Sequence, residues 1–147
     1  ESLAGSPKLE TEIFPVRFCR RQFIAALDRH RPDIVLGLGQ CTRKHIDLES
    51  HAHNRKRASK SAEPRTICKN RPRVLPTTLK VRPGRKLRVS NDAGDYVCNY
   101  SMYVILDAIA RKRSPTRFGF IHIPHDWNLH QAVRLVRRVL RQCRQAI

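Results

Sequence analysis

The chain has 147 residues with 30 Lys+Arg against 12 Asp+Glu, a formal net charge of +18, and 40% apolar residues. This length suits one domain with one core, and the apolar fraction stands well above that of disordered chains. No apolar run reaches the ~18 residues of a membrane-spanning helix, and the opening ESLAGSPKLE has neither the basic nor the apolar stretch of a secretory signal peptide. The first residue is Glu, not Met, so a natural N-terminus missing from the chain is expected.

In chain order, Thr11–Phe18 alternates and predicts a strand leading into a helix with Cys19, Phe23 and Leu27 on one stripe, ended by Pro32. Asp33–Gln40 (DIVLGLGQ) is a continuous apolar run stopped by glycines, the pattern of a buried parallel strand. Lys44–Glu49 alternates strictly, with Ile46 and Leu48 on one face and His45, Asp47 and Glu49 on the other. Residues 51–80 read as irregular, basic, proline-punctuated loop, and Leu87–Asp92 as a short strand. Tyr96 to Arg113 is apolar nearly all round and predicts a buried helix. Phe118–Pro124 is a further buried strand. Asn128 then caps a last helix with Leu129, Val133, Val136, Leu140 and Cys143 as its apolar stripe and arginines over much of the remainder. Strands alternating with helices predict a three-layer α/β/α fold with a mostly parallel central sheet, in one domain over residues 1–147.

The charge by itself points to a polyanion such as nucleic acid. Thirteen Lys/Arg and one acid, Glu63, lie between His51 and Ser90, without interleaved aromatics. That is an electrostatic contact surface with no base-stacking platform, or a solvated loop. Five cysteines (Cys19, Cys41, Cys68, Cys98, Cys143) without a CxxC fit a reducing, cytoplasmic setting better than a disulfide framework. Cys41/His45, His51/His53 and His122/His125 each offer two metal ligands and no second pair, so neither a metal nor another cofactor is expected.

In open α/β sheets the chemistry sits at the carboxyl ends of the strands. Cys98 falls in the first turn of the long helix, where the helix N-terminus favours a thiolate, although a buried structural cysteine is an equal reading. His122 lies near the end of the following strand. A parallel strand–helix–strand crossover makes Cys98 and His122 neighbours, the minimal thiol-nucleophile unit. Glu49 could orient the imidazole, but Asp47, Asp92 and Asp126 compete for that place and spacing does not separate them.

Ser90–Tyr103 (SNDAGDYVCNYSMY) resembles the nucleophile motif of the pyroglutamyl peptidase I (pyrrolidone-carboxylate peptidase) family of cysteine peptidases. Gly119–Pro124 resembles the family's catalytic-histidine motif, and Gly39–Asn54 its catalytic-glutamate segment, in family order. The resemblance implies Cys98 as nucleophile, His122 as general base and acid, and Glu49 as the orienting carboxylate. It also implies Gln40, Tyr96 and Val97 as substrate-binding residues. The expected activity is removal of N-terminal pyroglutamate from a peptide through a thioester, with a homo-oligomer possible and no membrane partner. The departures are equally specific. The family's first strand and its aromatic G-F-x-P-F-type loop have no counterpart, and Ser59 stands where the family has an arginine near the active site. Residues 51–86 are divergent and basic, and Leu75–Leu79 starts a helix that is mostly deleted. A catalytically impaired family member and a basic nucleic-acid-binding protein are therefore carried as alternatives.

Overall fold

The computed structural model describes residues 8–145. Its elements are α1 (Arg20–His30), β1 (Ile34–Cys41), β2 (Ile46–Glu49), β3 (His51–His53), β4 (Val74–Pro76), β5 (Leu87–Ser90), α2 (Val97–Arg111), β6 (Arg117–Pro124) and α3 (Leu129–Gln145). Four strands form the central sheet in the order β1-β6-β2-β5. β1 runs parallel to β6 and β2 parallel to β5, while β2 and β6 are antiparallel. α1 and α2 pack on one face with Phe118 and Phe120 of β6. α3 covers the other through Leu135, Val139 and Cys143 against Ile46, Leu48, Leu87 and Ile121. The fold is thus the expected three-layer α/β/α with a mostly parallel sheet.

Four local expectations are corrected. Thr11–Phe18 forms no strand. Its amides turn on themselves, with Arg17 N donating to the Pro15 carbonyl and Cys19 N to the Arg17 carbonyl, both at 2.9 Å. Pro15 has no N–H for a ladder, and Ile13 is 98% exposed. Phe14 and Phe18 nevertheless pack on the α2 layer. β1, although apolar, is among the described residues an edge strand paired only with β6, and none of its residues is fully buried. Residues 51–80 are not all irregular, because β3 and β4 pair antiparallel with Ala52 opposite Leu75, and both side chains join the α2 core. The stripe of α3 is turned from the expected one. Leu135, Val139 and Cys143 are buried at four-residue spacing while Leu129 is 73% exposed. Two overlapping apolar stripes exist in that helix, and packing on the sheet selects between them. Asn128 does cap it, its Oδ1 accepting from Gln131 N at 3.2 Å.

α1 ends at Arg31, which takes the left-handed conformation (φ 44°) directly before Pro32, where the α region is disfavoured. α2 is held from three sides by one buried acid. Asp107 Oδ1 accepts from Arg71 Nε at 2.6 Å, and its Oδ2 from Arg111 Nε at 2.9 Å and Arg20 Nη2 at 3.4 Å. The carboxyl therefore joins α1, α2 and the 51–86 segment. Tyr103 adds a second tie, its hydroxyl donating to the Pro72 carbonyl at 2.6 Å, and burial pushes that phenol up to about 12.

Burial alone would raise the Asp107 pKa, but hydrogen bonds from Arg71 and Arg111 outweigh it and hold the carboxyl below its usual range. A depressed folded pKa gives stability that is complete above the unfolded value of about 3.9 and disappears as pH falls through the folded one. Asp107→Asn should cost about 1–2 kcal/mol at neutral pH, discounted because the guanidinium groups are partly solvated. It should also flatten the acid limb of the stability curve. Urea melts of the two proteins between pH 3 and 7 check this, and coincident curves would overturn it.

Candidate active site

β2 and β6 carry the two inner members of the cluster. Alternation along β6 turns Phe118, Phe120 and His122 toward the α2 layer and Ile121 toward α3. On β2, Ile46 and Leu48 face α3, which leaves Asp47 and Glu49 on the α2 side. Antiparallel register sets Glu49 opposite Phe120 and Asp47 opposite His122. His122 Nδ1 meets Glu49 Oε1 at 2.7 Å, with His122 3% and Glu49 0% exposed. The Cys98 thiol is close by, its sulfur lying over Gly39, the register partner of His122 on β1. The Phe120 ring stands edge-on to the imidazole at 5.1 Å between centroids and limits its rotation.

Cys98 is the second residue of α2, so its N–H is one of the first-turn amides with no partner inside the helix. It comes to His122 by a route other than the expected crossover. β5 and β6 are not neighbours, since β2 lies between them and runs antiparallel to β6. Instead the loop after β5 crosses the sheet and sets the first turn of α2 over β1 and β6. Gly39 makes that approach possible. A Cβ there would stand 2.8 Å from Cys98 Sγ and 3.0 Å from the Phe120 ring.

The loop is fastened before it reaches Cys98. Gly94 takes φ 82°, a conformation that suits glycine, and its N–H donates to Asp92 Oδ1 at 2.9 Å. Arg57 N donates to the Asp95 carbonyl at 2.8 Å, and the side chains of Arg55 and Arg57 both reach the Asp95 carboxylate. Burial opposes ionisation of Asp95, but these hydrogen bonds prevail and keep its pKa low. Asn99, beside the thiol, is fully buried. It donates to the His53 and Arg55 carbonyls at 2.9 Å each and accepts from His53 N at 2.8 Å.

Of the competing acids, Glu49 alone meets the imidazole. Asp47 is taken up by Arg43 at 2.8 Å and Arg88 at 2.9 Å, Asp92 lies with Arg55, and Asp126 is exposed. Burial lowers the basicity of His122, but hydrogen bonds and charge from Cys98 and Glu49 more than reverse this and raise its pKa to about 9. Glu49 in turn, despite burial, is held below the usual carboxylate range by hydrogen bonds from His122, Ser90 and Arg43. Tyr96 is the half-exposed N-cap of α2 and packs edge-on against Phe18 at 5.5 Å, and Val97 is buried. Gln40 follows Gly39 on β1, and its residue lines a groove with Leu38, Ile123, Pro124, His125 and Trp127.

Sequence reasoning missed Arg43, whose Nη2 lies 2.7 Å from Glu49 Oε1 and 3.1 Å from His122 Nδ1. The available signal was an arginine four residues before one acid and six before another at the start of a strand. It also missed the seating role of Gly39 and the anchoring by Asn99. Ser59, at the family's arginine position, is exposed; its hydroxyl meets the Ser61 hydroxyl at 3.3 Å and its carbonyl accepts from Ala62 N at 3.2 Å. Among the described residues, no group of three or more His, Cys, Asp or Glu side chains is placed to hold a metal ion, and no helix is long and apolar enough to cross a membrane.

A layered α/β protein with a thiol, an imidazole and a carboxylate in file across one sheet face has the side-chain set of a thiol-dependent hydrolase. Comparison with known proteins narrows this. The sequence model described as Pyroglutamyl peptidase matches residues 73–130. The pyrrolidone-carboxylate peptidase of Bacillus licheniformis is 37% identical, over 67% of this chain and 53% of that protein. The Brevibacillus brevis protein of the same name is 30% identical over 85% of this chain and 69% of its own length. Among solved structures, pyroglutamyl peptidase I from Bacillus amyloliquefaciens superposes with a TM-score of 0.65 at 29% identity, over 78% of this chain and 60% of that one. Pyrrolidone carboxyl peptidase from Thermococcus litoralis gives 0.65 at 28%, over 71% and 55%. The chain therefore belongs to the pyroglutamyl peptidase family, and it spans 53% and 69% of the lengths of the two relatives named here.

Gly39→Ala should displace the Cys98 sulfur, because the added methyl meets sulfur and ring carbon and neither can yield freely. Alkylation of Cys98 by iodoacetamide, followed by peptide mass mapping, should slow several-fold in the variant with the fold retained. An unchanged rate would show that the thiol is not seated by this contact.

Proposed function

We propose that the protein is a cysteine-type omega peptidase that removes N-terminal pyroglutamate from peptides. The observation that carries this is the Glu49–His122 hydrogen bond with the Cys98 thiol seated over Gly39, the register partner of His122, in a chain of this family. A histidine that keeps its proton to about pH 9 beside a thiol has that proton to give to a leaving amine at neutral pH.

The Cys98 thiolate attacks the carbonyl carbon joining pyroglutamate to the next residue. A C–S bond forms and the carbonyl electrons move to oxygen. The Cys98 backbone N–H, free at the helix start, donates to that oxyanion. Collapse breaks the C–N bond, and the His122 imidazolium gives its proton to the departing amine. His122, now neutral, takes a proton from water as the water attacks the thioester. Release of pyroglutamate breaks the C–S bond and restores the ion pair. Glu49 holds the imidazole in orientation and stabilises its charge. Tyr96 and Val97, next to the thiol, frame the pyroglutamyl ring, whereas the Gln40 side chain lies on the opposite, α3 face of the sheet with Leu38 and Trp127.

Hydrolysis of pyroglutamyl-aminomethylcoumarin tests the reading. Turnover should fall by ~10³-fold or more in Cys98→Ala and in His122→Ala, as expected for loss of a nucleophile or its base. Folded wild-type protein without turnover would instead support an impaired family member.

The pH profile is a separate check. Activity needs the imidazolium, so it should fall as pH rises through about 9. Glu49→Gln removes one of the groups that raise His122 and should move this alkaline limb to lower pH. A limb that stays in place would exclude Glu49 as the partner that sets His122.

A further inference from the structure

The +18 charge is not spread evenly in its consequences. Between His51 and Ser90 much of it is spent internally. Arg55 and Arg57 hold Asp92 and Asp95, Arg71 holds Asp107 and Arg88 holds Asp47, while Lys56 lies over the Phe18 and Tyr100 rings. α3 is different. Its sequence LHQAVRLVRRVLRQCRQ contains no acid. Arg134, Arg137, Arg138, Arg141 and Arg144 are all exposed, and none has a carboxylate partner among the described residues. Their spacing sets them along the solvent side of the helix over ~15 Å at 1.5 Å per residue.

The surface continues beyond the helix. The 80–86 loop lies against the C-terminal half of α3, with Arg82 N donating to Gln142 Oε1 at 3.2 Å and Val81 packed in the α3 core. Lys80, Arg82, Arg85 and Lys86 are exposed there.

We propose that the arginine face of α3, extended by the 80–86 loop, binds the phosphate backbone of double-helical nucleic acid without reading its sequence. A duplex carries one phosphate charge per ~1.7 Å of axis, so ~15 Å presents about nine, enough to engage every arginine of the row. Arginine suits this because its planar fork pairs with phosphate oxygens and stays charged. α3 has no Phe, Tyr or Trp on which unpaired bases could stack. An anionic bilayer fits less well, because Leu135, Val139 and Cys143 are consumed by the core and just Leu129 and Val133, near the start of α3, remain exposed to enter lipid.

The test is fluorescence anisotropy with labelled DNA and RNA duplexes of about 20 base pairs, titrated across salt, where the five α3 arginines alone should contribute a logarithmic slope of about −4.5. Replacing Arg134, Arg137, Arg138 and Arg141 by Gln should weaken low-salt binding by more than 10-fold and remove most of that slope. Replacing the same four by Lys should keep it. A charge-matched control with Lys60, Arg65, Lys69 and Arg73 replaced by Gln should bind nearly as wild type. Equal loss in the control would show that net charge alone acts and would overturn the surface. Binding to single strands or to phosphatidylserine vesicles as tight as to duplex, at matched charge, would overturn the partner. Cys98→Ala protein should bind unchanged, which separates this outcome from that of the peptidase reading.

Discussion

Helix α2 has to be covered on every side, and the rest of the molecule is arranged by that requirement. Twelve of its fifteen residues are buried, far more than a helix with one solvated face would show. The sheet supplies one wall through Phe118 and Phe120, α1 supplies another through Phe23, and the segment from Ala52 to Leu75 closes the remainder. Inside this enclosure Asp107 is costly by itself and is retained by guanidinium groups from three directions. Once α2 is seated this way its first turn has one position over the sheet, and Cys98 has one position over Gly39.

The arginines around α2 also give the divergent middle segment a structural meaning. A chain with so few acids uses them at junctions. Asp95 ties the loop that launches α2, Asp107 ties the body of the helix, and Asp47 ties the edge of the sheet to Arg88. Each acid is met by more than one base. The basic excess of the segment is therefore partly a set of fasteners, while the unmatched positive charge of α3 faces solvent.

Much of this was legible in the sequence where one rule acts alone. Ile46–Glu49 announced both its strand and its two faces by strict alternation, and the apolar run from Tyr96 announced a buried helix. Cys98, His122 and Glu49 came from motif likeness, and spacing alone did not choose Glu49 from Asp47. The choice depends on which acid Arg43 and Arg88 occupy, a matter of tertiary contact. The crossover argument brought Cys98 and His122 together by a path the structure does not take, because sheet order is non-local and nothing in the chain shows β2 lying between β5 and β6. Thr11–Phe18 misled for a different reason. Alternation predicts a strand only if a partner strand takes up its hydrogen bonds, and here the amides turn locally instead.

β1 contributes the glycine under the Cys98 thiol, yet among the described residues it lies at the margin of the sheet with one neighbour. Strands so placed open at lower free energy than the body of a domain, because fewer bonds and less apolar contact must be given up. The thiol's seat thus rests on a strand with a single ladder among the described residues, and local opening of β1 would disturb it without global unfolding. A destabilised chain of this kind loses an organised site while α2, enclosed as it is, still keeps its shape.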